Sequence, residues 1–199
     1  MDDDPTAARI LETAIEVIAT RGYHGTSVRD IAQAASVSAG SIYNHFESKQ
    51  GLLEVIINRG MDGLLTVSEQ ALYDAPADPV SRLDALVAAH VRAHTGYGPW
   101  SYIGNTELRS LEPARLAVVV AKRDTQQRMF ERVIADGLKN GLFVTPDPAV
   151  TAKYVVTACT SVASWFRAGG RLDADELIVQ YQVISRNAVG YRGGQVEQP

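Results

Sequence analysis

Apolar side chains recur at three- and four-residue spacing along most of the chain, which is the spacing of one face of a helix. Ile10, Leu11, Ala14, Val17 and Ile18 predict a first helix over residues 6–21, with Gly22 as its C′ residue. Val28, Ile31 and Ala32 share a face of a short second helix, and Ser27 with Asp30 forms its capping box. Ser36-Val37-Ser38 reads as a turn, and Ser38 caps a third helix from Ala39 to His45. Ile42 and Phe46 are its buried side; Ser41, Tyr43, Asn44 and His45 are its outer side. Leu52, Leu53, Ile56, Ile57, Leu64 and Leu65 predict a fourth helix over 49–73, capped by Ser48 and stopped before Pro76 and Pro79. Leu83, Leu86, Val87 and Val91 mark a fifth over 80–94. Gly96-Tyr97-Gly98-Pro99 reads as a loop, and further helices are expected over 100–111, 113–140, 148–168 and 174–190. Nothing alternates with period two, so the chain is expected to be all-α, with about nine helices.

Residues 26–53 carry the chemistry. Two short helices joined by a tight turn make a helix-turn-helix when the second can enter a DNA major groove. That helix must lead with small or hydrogen-bonding residues, and Ala39, Gly40 and Ser41 meet the requirement. Its flanks must offer phosphate donors, which set the register on the duplex. Tyr43, His45 and Lys49 supply them, and Thr26 and Arg9 are placed to touch phosphate. Ser41, Tyr43 and Asn44 are the candidates for base edges, with Asn favouring adenine. Gly40 serves either a close backbone approach to DNA or close helix packing. A helical hairpin that merely fills a core would also fit the spacing, but not the compact hydrogen-bonding outer face.

The run T-S-V-R-D-I-A-x-x-A-x-V-S-x-G-x-I-Y-x-H-F-x-S-K-x-x-L-L resembles the DNA-binding signature of the TetR family of bacterial transcriptional regulators. The matching positions are Thr26, Ile31, Ala32, Ala35, Val37, Ser38, Gly40, Tyr43, His45, Phe46, Lys49, Leu52 and Leu53. Ser36 departs from the family's usual Gly; Ser can substitute there if the turn stays in an ordinary backbone region, so the departure bears on turn geometry and not on the motif. The resemblance implies an N-terminal three-helix head over residues 1–50 and a C-terminal ligand-binding and dimerisation domain over 51–199. It implies DNA contacts from Thr26, Ser27, Ser38, Ala39, Gly40, Ser41, Tyr43, Asn44, His45 and Lys49, and it makes repression the default response.

Charge qualifies this picture. The net charge is −4, and from Arg9 to Arg59 five basic residues face five acids. The head is therefore expected to bind DNA weakly without sequence recognition, and with modest salt dependence. No apolar run is long enough to span a membrane, and the acidic N-terminus lacks a signal-peptide core, so a cytoplasmic protein is expected. Cys159 is the only cysteine, which excludes an intrachain disulfide. No cofactor is implied.

The helices over 148–168 and 174–190 are apolar on more than one face, more than one chain can bury. They are the expected homodimer interface, and the resemblance implies a four-helix bundle there. Two heads related by a two-fold would read a near-palindromic double-stranded operator. Residues 100–113 and 165–172 are similar to a branch of the family that represses fatty-acid and sterol catabolism and responds to acyl-CoA thioesters. That similarity implies a small apolar or acyl-CoA effector. Trp100, Tyr102, Phe130, Tyr154 and Trp165 are candidates to line its pocket, and Arg109 and Arg123 to hold charge. The rival readings are a helical dimer without a DNA function, and a metal-dependent enzyme using His90 and His94 at i and i+4. No third ligand and no activated nucleophile is identifiable, so an enzyme is not expected.

Overall fold

The computed structural model describes residues 4–96 and 98–193. Nine α-helices occur among them: α1 (Pro5–Arg21), α2 (Val28–Ala34), α3 (Ala39–His45), α4 (Lys49–Asp74), α5 (Pro79–Gly96), α6 (Gly98–Thr106), α7 (Pro113–Lys139), α8 (Pro148–Trp165) and α9 (Ala174–Ala188). A 3₁₀ turn, Leu108–Ser110, precedes α7. No strand occurs among the described residues, and none of their helices is long and apolar enough to cross a membrane.

Three helices begin on the dipeptide Asp-Pro. Asp4 accepts from the amides of Thr6 and Ala7 at 2.8 and 3.3 Å. Asp78 does the same for Val80 and Ser81, and Asp147 for Ala149 and Val150. The carboxylate satisfies amides that have no helical partner, and proline, which lacks an amide, sits where none is needed. Capping boxes open α2 (Ser27 with Asp30) and α9 (Asp173 with Glu176). The expected helix over 100–111 is divided: α6 ends at Thr106, and the 3₁₀ turn Leu108–Ser110 follows Glu107. The expected loop at 96–99 is narrower than predicted: Gly96, Gly98 and Pro99 are helical, and Tyr97 lies outside the described residues.

The chain forms two compact units. The first comprises Met1–Asp62 and Tyr97–Ala121. Its core joins Ile10, Leu11, Ala14, Ile15 and Ile18 of α1 to Ile31, Ile42, Phe46, Leu52, Leu53, Ile56 and Ile57. Ile15 is buried there, whereas Val17, expected inside, is only half-buried. Ile103, Leu111 and Val119 belong to the same core, so α6 and the start of α7 complete the three-helix head.

The second unit comprises Gly63–Gly96 and Lys122–Pro199. Within it α5 packs against α8 and α9. Leu83, Leu86, Val87 and Val91 meet Phe130, Ile134, Val155, Cys159, Val162, Leu177 and Ile178. At the end of α7 the Phe143 ring lies over Gly137, where a Cβ would stand 1.9 Å from a ring carbon.

Candidate nucleic-acid interface and effector region

The turn between α2 and α3 is built by hydrogen bonds within α2's last turn. The Val37 amide donates to the Ala32 carbonyl at 2.9 Å, and the Ser36 amide to the Gln33 carbonyl at 3.2 Å. That pair is a Schellman motif, which requires a left-handed residue at Ser36. Ser36 indeed has φ +54°, so the turn does not stay in an ordinary backbone region and Ser adopts the conformation that Gly would take without cost. It is the one non-glycine residue with positive φ among those described. The motif outranks the local preference of serine because two otherwise orphaned carbonyls are satisfied by it.

α3 then starts on Ser38, whose Oγ accepts from the Ser41 amide at 3.1 Å. Ile42 is buried and anchors the helix, while Gly40, Tyr43 and Asn44 are exposed, and Ala39, Ser41 and His45 are half-buried. A Cβ on Gly40 would meet nothing nearer than Ser38 Oγ at 3.7 Å. Packing therefore does not demand glycine there. His45 Nδ1 lies 3.5 Å from Asp4 Oδ2, which ties the end of α3 to the cap of α1.

Three of the expected DNA contacts have their side-chain donors engaged within the protein. Thr26 is 3% exposed, and its hydroxyl donates to the Gly22 carbonyl at 2.9 Å. Ser27 spends its hydroxyl on Asp30, at 2.5 Å, inside the capping box. Lys49 turns inward: Nζ donates to the Tyr23 carbonyl at 2.5 Å and stands 4.0 Å from the centre of the Tyr23 ring. Burial pulls the pKa of this ammonium below that of an ordinary lysine. In these three cases sequence spacing identified a polar residue near the interface but not the internal acceptor that claims it.

The sequence reading missed the polar brace on the other side of the head. The Gln50 amide donates to the Ser110 carbonyl at 2.7 Å and accepts from the Glu112 amide at 3.2 Å. Arg115 pairs with Glu47 at 3.1 Å and with Glu54. Glu107 accepts from the Tyr23 amide at 3.2 Å and from Ser110 Oγ at 2.9 Å. Residues 107–115 thus grip the loop before α2 and the corner between α3 and α4.

The expected effector residues are divided between the two units. Trp100, Tyr102 and Arg109 belong to the first unit, where Trp100 packs against the head core and Tyr102 and Arg109 are exposed. Arg123, Phe130, Tyr154 and Trp165 belong to the second unit. Phe130 is fully buried, whereas Tyr154 and Trp165 are 59% and 48% exposed. Eleven residues is close to three helical turns, so Tyr154 and Trp165 share the outer face of α8. Val150 stands on α8's surface too, and Val179, Val183 and Ile184 of α9 are also exposed. An open groove of about 610 Å³ runs there, lined by Val150, Tyr154, Ile184 and Ala188 among others.

His90 and His94 are buried, their rings parallel and 4.6 Å apart. His94 Nδ1 donates to the His90 carbonyl at 2.8 Å, and His90 Nε2 lies 2.9 Å from Thr160 Oγ1. Among the described residues no group of three His, Cys, Asp or Glu side chains is gathered as a metal site would need. Cys159 is buried, and desolvation pushes its thiol up to about 12, which leaves it inert.

Residues 10–56 match the bacterial regulatory proteins of the tetR family, and residues 76–189 match the tetracyclin repressor-like C-terminal domain. The chain is 30% identical over 187 residues to the HTH-type transcriptional repressor KstR2 of Mycobacterium tuberculosis, covering 92% of each protein. It resembles the crystal structure of a tetR-family regulatory protein from Rhodococcus RHA1 with a TM-score of 0.89 at 30% identity, over 94% of this chain and 98% of that one. The crystal structure of AibR in complex with isovaleryl coenzyme A and operator DNA gives 0.83 at 28% identity, over 90% and 97%. With both its head and its C-terminal region matched, the chain belongs to the TetR family of bacterial transcriptional regulators.

Proposed function

We propose that the chain is a ligand-released repressor that binds a palindromic operator as a homodimer. The observation that carries this reading is α3: a capped helix, anchored by Ile42, that turns Gly40, Tyr43 and Asn44 to solvent with no packing demand on Gly40. The DNA-contacting stretch is residues 1–50, and residues 51–199 sense and dimerise. Ser41, Tyr43 and Asn44 read base edges, while Ser38, Ala39, Gly40 and His45 lie along the backbone. The apolar outer faces of α8 and α9 supply the dimer contact. Two recognition helices then meet half-sites about 34 Å apart, or a multiple of that.

The effector is a largely apolar acyl compound. KstR2 is a repressor and AibR is seen with an acyl-CoA and operator DNA, which supports the class. Release is a population shift, in which the effector binds the DNA-incompetent arrangement more tightly. A 10⁴-fold preference, about 5.5 kcal/mol, would turn the switch fully. The protein works in the cytoplasm and catalyses no reaction.

Selection of random duplex DNA on the purified protein, followed by footprinting with and without a panel of acyl-CoA thioesters, tests the reading. A palindrome released by one thioester is expected. A folded dimer that enriches no duplex would overturn it.

A further inference from the structure

The carboxylate of Asp4 works in two directions. Oδ1 accepts from the amides of Thr6 and Ala7 at 2.8 and 3.3 Å and caps α1. Oδ2 stands 3.5 Å from Nδ1 of His45, the last residue of α3. One side chain thus joins the start of the first helix to the end of the helix assigned to the operator. The cap amides hold the Asp4 carboxyl below the ordinary carboxylate range, so it is charged at neutral pH. Among the described residues it is the one carboxylate within ion-pair distance of the His45 ring. The charged groups on the neighbouring elements have other partners or are exposed. Asp30 closes the α2 capping box, Glu47 pairs with Arg115, and Lys49 donates to the Tyr23 carbonyl. Arg9 and Glu12 of α1 and Arg29 of α2 are exposed.

A nitrogen lone pair that faces a carboxylate is repelled, so the neutral ring carries its proton on Nδ1. The other nitrogen, Nε2, is then a bare acceptor, and it has no partner among the described residues. A phosphate oxygen is an acceptor too, so this tautomer has nothing to donate to it. Moving the proton to Nε2 would serve the phosphate but turn the Nδ1 lone pair against Asp4. Only the doubly protonated ring meets both, with Nδ1–H toward Asp4 and Nε2–H toward the phosphate. Its bond to the phosphate is then charge-assisted.

We infer that Asp4 is a positioning residue for DNA binding: it holds His45 in the tautomer that cannot donate to phosphate, so each head takes up one proton at His45 when it engages the operator. This rests on the regulator reading, in which His45 lies along the phosphate backbone. The proton comes from solvent and returns there when the operator is released. The imidazolium stays beside Asp4, so the pair adds no net cation to the head. The bound state holds the extra proton, so binding is tightest at low pH and weakens as the pH rises.

Titration of an operator duplex, recovered by selection from random DNA, tests this at fixed ionic strength between about pH 6.5 and about pH 8.5. Full-length wild type, Asp4→Asn and His45→Gln are compared. Wild-type affinity should fall as the pH rises, by as much as about ten-fold per pH unit for each head. Asparagine keeps the cap, because its carbonyl accepts from the same amides. Its NH₂ group donates to Nδ1, which moves the neutral ring's proton to Nε2. Asp4→Asn should therefore give a level profile and bind more tightly than wild type at the alkaline end, which loss of a merely structural contact would not produce. His45→Gln, which gains no proton, should also be level. A level wild-type profile overturns the inference and leaves the regulator intact. So does a wild-type slope retained in either variant, which would assign the proton to another group, such as His24. Should Asp4→Asn fail to fold, Asp4→Ser takes its place, since serine keeps a cap and offers His45 no carboxylate. A wild type that enriches no duplex overturns the regulator reading, and this inference with it.

Discussion

Ser36 carries a side chain through a backbone region that disfavours one by about 1–2 kcal/mol. Ser36→Gly should therefore raise stability by about 0.5–1 kcal/mol, the gain being trimmed by the extra freedom of glycine in the unfolded chain. Urea denaturation reads this as a higher midpoint at constant slope, and an unchanged midpoint would mean that the turn relaxes without strain. The buried imidazoles make a second prediction. Desolvation holds the pKa of His90 well below 6.5, and Arg123 and the neighbouring ring of His94 act in the same direction. His94 is lowered as well. Between the folded value and 6.5 the unfolded chain binds more protons than the folded one, so stability is full above that window and is lost as the pH falls through it. Melting temperatures should be level from pH 8 to about 7 and decline toward about pH 5. His90→Gln should flatten the decline, and an identical decline in that variant would assign it to other groups.

Elements were legible where one residue type dictates local geometry, and illegible where a distant acceptor decides. The capping box at Ser27, the cap at Ser38 and the start of α7 at Pro113 follow from neighbours within a turn, so sequence alone located them. The side-chain donors of Thr26, Ser27 and Lys49 are taken by Gly22, Asp30 and Tyr23, and spacing does not reveal which of two acceptors wins. Aromatic content does not say which helix face is covered: Tyr154 and Trp165 lie on the outer face of α8, and Ala152, Val155, Cys159 and Val162 take its inner face. The brace at Gln50, Glu107 and Arg115 joins residues remote in sequence and leaves no periodic trace. The outer face of α8 and α9 bears the prediction at this scale. Tyr154→Glu combined with Ile184→Glu should split the dimer into monomers that retain wild-type helicity, since both side chains are already exposed within one chain. Sedimentation together with circular dichroism checks it, and a persistent dimer would move the interface elsewhere.

For the whole molecule, charge determines how the protein searches DNA. Lys49 is turned inward and Arg21 lies 3.9 Å from Asp30, while Arg9 and Arg29 remain exposed, two per head and four in a dimer. Four neutralised phosphates correspond to a slope of about −4 in log K against log salt. Operator titration between 50 and 200 mM salt should give that slope or a shallower one, and a slope near −8 would show cations reaching the duplex from elsewhere. The interior of the first unit has another consequence, for inheritance. Ile103, Leu111 and Val119 share a core with α1 to α4, and residues 107–115 brace it. A recombination breakpoint just after the signature would join the new DNA-reading helices to an α6 and α7 shaped for others. New operator specificity is therefore more readily acquired by single exchanges on the outer side of α3 than by exchange of the N-terminal segment, unless residues 97–121 are exchanged with it.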